Sequence, residues 1–279
     1  AAIQNFDTLK ICWYFYSQEV TVMLGAIAGD IIGSVYEARP VKTKDFPLFS
    51  RGCCFTDDTV LTAAVADAIM TGANYTDKFH EYFDRYPHAG FGGSFMQWAM
   101  LSSRQPYYSF GNGSAMRVSP VGFAFDDLET VLAEAEKSAA VTHNHPEGIK
   151  GAQATAGAVF LAKIGTDKQE IRDFISGRFF YNLEQSLADI RKTYRFDVSC
   201  QGSVPQSIIA FLEGGDWEDT VRNAISLGGD ADTMAAIAGG IAEAYYGLPQ
   251  QIARKALSFL DDSLMRVVDQ FTRKFTEPA

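Results

Sequence analysis

Two short acidic segments carry the residue types that could do chemistry. Thr56-Asp57-Asp58-Thr59 and Gly228-Gly229-Asp230-Ala231-Asp232-Thr233 each open a small-residue, apolar stretch that reads as a buried helix. Taken singly, either segment has a plain explanation. Asp and Thr cap helix N-termini, and carboxylates there complement the positive end of the helix dipole. Taken together they concentrate hard oxygen donors at two buried helix starts. Carboxylates crowded at such a place repel one another unless a cation is present. Carboxylate plus hydroxyl oxygen is a ligand set for Mg²⁺, Mn²⁺ or Ca²⁺, not for zinc. Asp57, Asp58, Asp230 and Asp232 could hold two such ions, with an acidified water between them.

Asp30 and Glu37 form a third acidic set, in GDIIGSVYE. Their spacing puts them on one helix face, two turns apart. Two loops are built for a ligand. His88 to Ser94 (HAGFGGS) offers backbone N–H groups without side-chain obstruction, which suits a diphosphate. Phe110 to Arg117 (FGNGSAMR) places Gly, Asn and Ser in a turn before a short helix start. Thr142 to Pro146 (THNHP) brings His143 and His145 together. With no cysteine beside them, contacts to ribose or phosphate fit better than zinc.

These residues need a scaffold. From Met23 onward the helical period dominates. Apolar positions recur at three-to-four spacing over 57–70, 128–140, 151–163, 204–212, 217–225 and 233–246, and 249–274 reads as one helix or a pair. Alternating strand patterns are rare and no βαβ rhythm appears. The expected fold is mainly α, one compact domain of about a dozen helices, consistent with 279 residues of which 47% are hydrophobic. The 24 glycines need a reason in a helical protein, such as close helix contact or ligand-facing turns. Residues 1–22 stand apart. They are rich in aromatic residues, and LKICWYFY reads as a strand. We therefore expect an extension over 1–22 and a domain over 23–279.

A net charge of -10 argues against strong affinity for DNA or RNA. It does not exclude a phosphate-bearing ligand, because bound cations reverse the local potential. Cys12, Cys53, Cys54 and Cys200 form no CxxC pattern, so a thiolate metal site is not expected. No apolar run approaches the roughly 20 residues of a membrane span. The N-terminus lacks a secretory pattern, and the expected location is the cytoplasm.

The order of motifs carries a resemblance. GDIIGSVYE is followed by FTDDT, HAGFGGS, SFGNGSAMRVSPVG, VTHNHPEG and GGDADTMAAIAGGIAEAYYG. In that order and spacing, from about Met23 to about Gly247, the chain resembles the ADP-ribosylglycohydrolase family. The resemblance implies an all-α orthogonal bundle with a binuclear Mg²⁺ or Mn²⁺ site. By motif match, Thr56, Asp57, Asp58, Asp230, Asp232 and Thr233 would be metal ligands. Glu37 would be the acidic residue beside the metals and, with Asp57 and Asp58, would carry catalysis. Gly90, Phe91, Gly92, Gly93 and Ser94 match the diphosphate loop. Gly111, Asn112, Gly113 and Ser114 match the loop near the distal ribose, and His143 matches a ligand-contacting histidine. The implied activity is hydrolysis at C1″ of the distal ribose, releasing ADP-ribose from a modified protein or nucleic acid. Alternatives are hydrolysis of small ADP-ribose conjugates and a non-catalytic ADP-ribose binder. One departure leaves the linkage open. Members acting on modified arginine often carry an extra Asp between the two Gly-rich loops, and FMQWAMLSSRQPYYSF has no acidic residue.

Overall fold

Glycines at positions 25, 29 and 33 recur every four residues, which places them on one helix face. The computed structural model describes residues 21–276, and in it that helix is α1 (Leu24–Glu37). Its glycine face lies against α13 (Ala231–Tyr246), and this is the most extensive helix pairing among the described residues. A Cβ on Gly29 would stand 2.1 Å from the Ala235 carbonyl oxygen, and one on Gly33 would stand 2.5 Å from that of Ala231. Gly25 meets Gly239 in the same way, so the helices run antiparallel. The end of α1 that carries Glu37 therefore meets the start of α13, where Asp230 and Asp232 lie. Each glycine costs about 1 kcal/mol of helix propensity, offset here by packing no larger residue permits.

Gly29→Ala is accordingly expected to force the helices apart and to cost about 3 kcal/mol, the upper range for overpacking a tight core. For a domain of this size that lowers Tm by about 6–12 °C. A thermal melt unchanged from the parent would contradict the close approach.

Fifteen helices make up the described residues, with no strand among them and one isolated bridge, Gly111 to Ser199. The all-α expectation holds, with more short helices than the periodicity showed. α8 (Pro146–Lys163) is central. It packs against α5 (Gly113–Met116), α6 (Ser119–Ala124), α7 (Leu128–Ala140), α11 (Cys200–Glu213) and α13. α8 begins at Pro146 rather than at 151, because His145 caps it and proline suits the first turn. α11 begins at Cys200 rather than at 204, capped by Ser199, and carries Pro205 inside. The C-terminal stretch splits into α14 (Gln250–Leu257) and α15 (Asp262–Thr276). The break is stabilised by Asp261, whose Oδ1 accepts from the N–H of Ser263 and of Leu264 at 2.9 Å.

The far end of the α1–α13 pair is closed by Glu243. It is buried, and its Oε2 accepts from the Gly25 N–H at 2.9 Å while Oε1 accepts from Thr21 Oγ1 at 3.1 Å. Burial pushes its carboxyl up to about 8. Val22 is buried as well. Thr21 and Val22, read from sequence as the end of an extension, thus pack with the domain. The strand expected at LKICWYFY lies outside the described residues.

Candidate active site

The first acidic segment is held from below by Asp30. This residue of α1 is fully buried. Its carboxylate accepts from Thr56 N at 2.9 Å, Thr56 Oγ1 at 2.7 Å, Thr59 N at 3.1 Å and the Thr59 hydroxyl. Four donors on one carboxylate fix the start of α2 (Asp57–Thr71). Thr56 completes the cap by accepting from Asp58 N at 3.2 Å. The helix start is thereby satisfied without Asp57 or Asp58, whose carboxylates remain free to face the cavity. Asp58 Oδ2 is buried and has no hydrogen-bond partner.

The second segment behaves the same way. Asp230 occupies the N-cap position of α13, yet its side chain caps nothing. Its Oδ2 instead accepts from Asn112 Nδ2 at 2.8 Å, and the same amide donates to Ser203 Oγ at 3.2 Å. The dull explanation, capping, therefore accounts for Thr56 but not for Asp230. Asp232 follows one turn position on, its Oδ1 accepting from Thr233 N at 2.9 Å. Glu37 arrives from the end of α1. Glu37, Asp230 and Asp232 each place a carboxylate oxygen within 4.8 Å of the others, a group able to hold a metal ion. That group includes Glu37 and does not include Asp57 or Asp58, which line the same cavity.

Glu37, Asp57, Asp58, Asp230 and Asp232 line one cavity of about 350 Å³, within the usual range for small-molecule sites. Its walls include Thr56, Asp57, Asp58, Thr233, Gly90, Gly92, Gly93, Ser94, Gly111, Asn112, Gly113 and His143. Gly92 and Gly93 open α4 (Gly93–Met100), with no side-chain cap and nothing within 4 Å of where a Cβ would stand. Uncapped N–H groups at a helix start are an anion site. Two side chains of these loops turn away from the cavity. Phe91 is buried and stacks on Phe95, ring centroids 5.0 Å apart. Ser114 is buried and donates to the Gly148 carbonyl at 2.7 Å. Sequence reading passed over Tyr107, Ser109 and Arg117, which also line the cavity. For Arg117 the available signal was one arginine inside the apolar run AMRVSPV.

The electrostatics are those of an acid cluster waiting for positive charge. Burial raises Asp57 to about 7, helped by the nearby Asp30 and Asp230 charges. Burial, then Asp232 and Asp30, lifts Asp58 well above the usual carboxylate range. Burial followed by Asp230 does the same to Asp232. Glu37 is raised by desolvation and by Asp230 and Asp30. For Asp57, a folded value above the unfolded one means that, without metal, it stabilises the fold fully below about pH 4 and loses that contribution as pH rises through about 7; Asp58, Asp232 and Glu37 act in the same direction. A divalent cation binds the deprotonated form, so its hold tightens over the same window. The chelator-treated protein is therefore expected to lose thermal stability from about pH 4 to about pH 7, while the gain from added Mg²⁺ grows. Melting curves with chelator and with Mg²⁺ across that window check both trends. A Mg²⁺ gain that shrinks with rising pH would contradict the assignment.

Comparison with known proteins gives a consistent result. A sequence model of the ADP-ribosylglycohydrolase family matches residues 17–279. The ADP-ribosylhydrolase ARH3 of Bos taurus is 27% identical over 310 residues, covering 82% of this chain and 84% of that protein. The ADP-ribosylarginine hydrolase Tri1 of Pseudomonas putida is 28% identical over 144 residues, covering 50% of this chain and 39% of that protein. A solved structure of an ADP-ribosylglycohydrolase-related protein complex superposes with a TM-score of 0.69 at 21% identity, covering 91% of this chain and 98% of that one. That likeness concerns the fold.

Proposed function

The chain belongs to the ADP-ribosylglycohydrolase family, and from that premise we propose that it is a metal-dependent hydrolase releasing ADP-ribose from a modified protein or nucleic acid. The observation that carries this reading is the convergence of Glu37, Asp230 and Asp232 within 4.8 Å, in a cavity that Asp57 and Asp58 also line. The donor set fits two divalent cations, Mg²⁺ or Mn²⁺. Buried carboxylates of raised pKa and a buried Asp58 oxygen without a partner lack a counter-charge, and the hydroxyls of Thr56 and Thr233 in the same cavity add hard oxygen donors. Thr56, Asp57, Asp58, Asp230, Asp232 and Thr233 would hold the ions. When bound, they would supply an acidified water and an anchor for the ribose hydroxyls.

The rest is done by the chain. Gly90, Gly92, Gly93 and Ser94 offer backbone N–H groups to the diphosphate. Gly111 and Gly113 leave room for the distal ribose, and Asn112 acts on the site through Asp230. Glu37 would take the proton of the attacking water, and a carboxyl raised by desolvation and by Asp230 and Asp30 suits a general base.

The test is ADP-ribose release from arginine-, serine- and nucleobase-linked substrates and from a small ADP-ribose conjugate, compared side by side. Turnover of a macromolecular linkage supports the proposal. Turnover of the small conjugate alone moves the substrate class. Binding of ADP-ribose with no turnover of any of them would leave a binder and sink the enzymatic reading.

A further inference from the structure

We propose that Arg117 and Thr142 fix His143 as its neutral Nε2–H tautomer, so that the ring donates one hydrogen bond into the cavity. Arg117 follows α5 and is fully buried, with its guanidinium 4.4 Å above the Phe79 ring. Its Nε and Nη1 have no hydrogen-bond partner, and Nη2 donates to the Ser138 carbonyl at 3.1 Å and to Thr142 Oγ1 at 2.9 Å. A guanidinium offers only donors, so Thr142 must accept from it. The hydroxyl proton of Thr142 is then free to point elsewhere, and His143 Nδ1 lies 2.7 Å away. If Thr142 donates there, Nδ1 is bare and the ring proton sits on Nε2.

The reverse arrangement would bring two donors onto one hydroxyl and send its proton toward Tyr107, the other polar group beside Thr142. The neighbouring cation disfavours it. Arg117 polarises the Thr142 O–H, which makes it a stronger donor and a poorer second acceptor. A doubly protonated ring is opposed by burial and by the same cation, which together hold His143 well below the usual imidazole range. Nε2 is the edge that meets the Gly-rich loop. A Cβ on Gly113 would stand 3.1 Å from it, so glycine there admits the ring to the cavity wall, and one on Gly111 would stand at an ordinary contact distance of 3.5 Å. The result is an uncharged donor aimed at a ligand oxygen. The opposite tautomer would present a lone pair there, which repels a phosphate oxygen. Arg117 and Thr142 are positioning residues acting through His143. The identity of the acceptor as ADP-ribose rests on the function proposed above.

Long-range ¹H–¹⁵N spectra of the histidine rings near neutral pH test the relay, with His143 assigned by its absence in His143→Asn. The expected result is a bare Nδ1 and a protonated Nε2 in the parent and in Thr142→Ser, which keeps the hydroxyl. Thr142→Val should shift the ring toward the Nδ1–H form and weaken ADP-ribose binding in Mg²⁺ about tenfold, the worth of one hydrogen bond, with affinity recovered in Thr142→Ser. A parent ring protonated on Nδ1 overturns the proposal, as does a tautomer unchanged in Thr142→Val. The parent spectrum decides even if the valine variant does not fold. The expected tautomer without ADP-ribose binding would uphold the relay and count against the functional reading instead.

Discussion

Glu37→Gln is expected to cut single-turnover ADP-ribose release by about 10²–10⁴-fold, the usual contribution of a general base. The substitution keeps size and most hydrogen bonding and removes only the basic oxygen. Affinity for free ADP-ribose should change much less, because its diphosphate would be held by the loop from Gly90 to Ser94. That pattern is a loss of transition-state stabilisation with ground-state binding retained. The position of Glu37 beside Asp230 and Asp232 makes a second readout necessary. Rate lost with metal stoichiometry kept places Glu37 at the water. Rate and metal lost together place it in the coordination shell. A near-normal rate removes it from the mechanism.

Asp230→Asn is expected to abolish metal binding at its site and to lower the rate by about 10³-fold, since charge stabilisation by a bound ion is worth several kcal/mol. The fold should survive. The amide retains the volume, and Asp230 is a buried acid crowded by like charge, so the metal-free variant should melt no lower than the metal-free parent. Asp57→Asn is expected to behave alike. Calorimetric titration with Mg²⁺ or Mn²⁺ alongside thermal melts checks both halves. Unchanged metal stoichiometry in the two variants would falsify the ligand assignment.

The sequence made the acids that line the cavity legible because their types are costly where they stand. Carboxylates ahead of small-residue helices ask for a cation, and paired glycines ask for something to approach. What it could not show is direction. Phe91 and Ser114 sit in ligand-like loops yet point into the core, and only the packing around Phe95 and Gly148 decides that. Asp30 looked like one more acid of the site. Its partners, Thr56 and Thr59, are 26 and 29 residues away, so its role as the clamp beneath them appears only in three dimensions. Asn112 was read as a ribose contact, whereas its amide is committed to Asp230 and Ser203. Arg117 escaped notice for the same reason, being tied to Phe79 and Thr142 from distant helices. Helices with a broad apolar face, such as 128–140 and 217–225, were readable to the residue. α9 (Lys168–Phe179) was not, because Ile171, Ile175 and Phe179 are its only buried residues.

The measurement that bears most directly on the account is ADP-ribose release in a single preparation, first under chelator and then after Mg²⁺ or Mn²⁺ is restored. Using whichever linked substrate the panel shows to be turned over, the account predicts that release stops under chelator, that it returns with either ion, and that Asp230→Asn does not recover with it. Release that continues at its full rate in chelator would contradict the claim that the acidic starts of α2 and α13 act by holding metal.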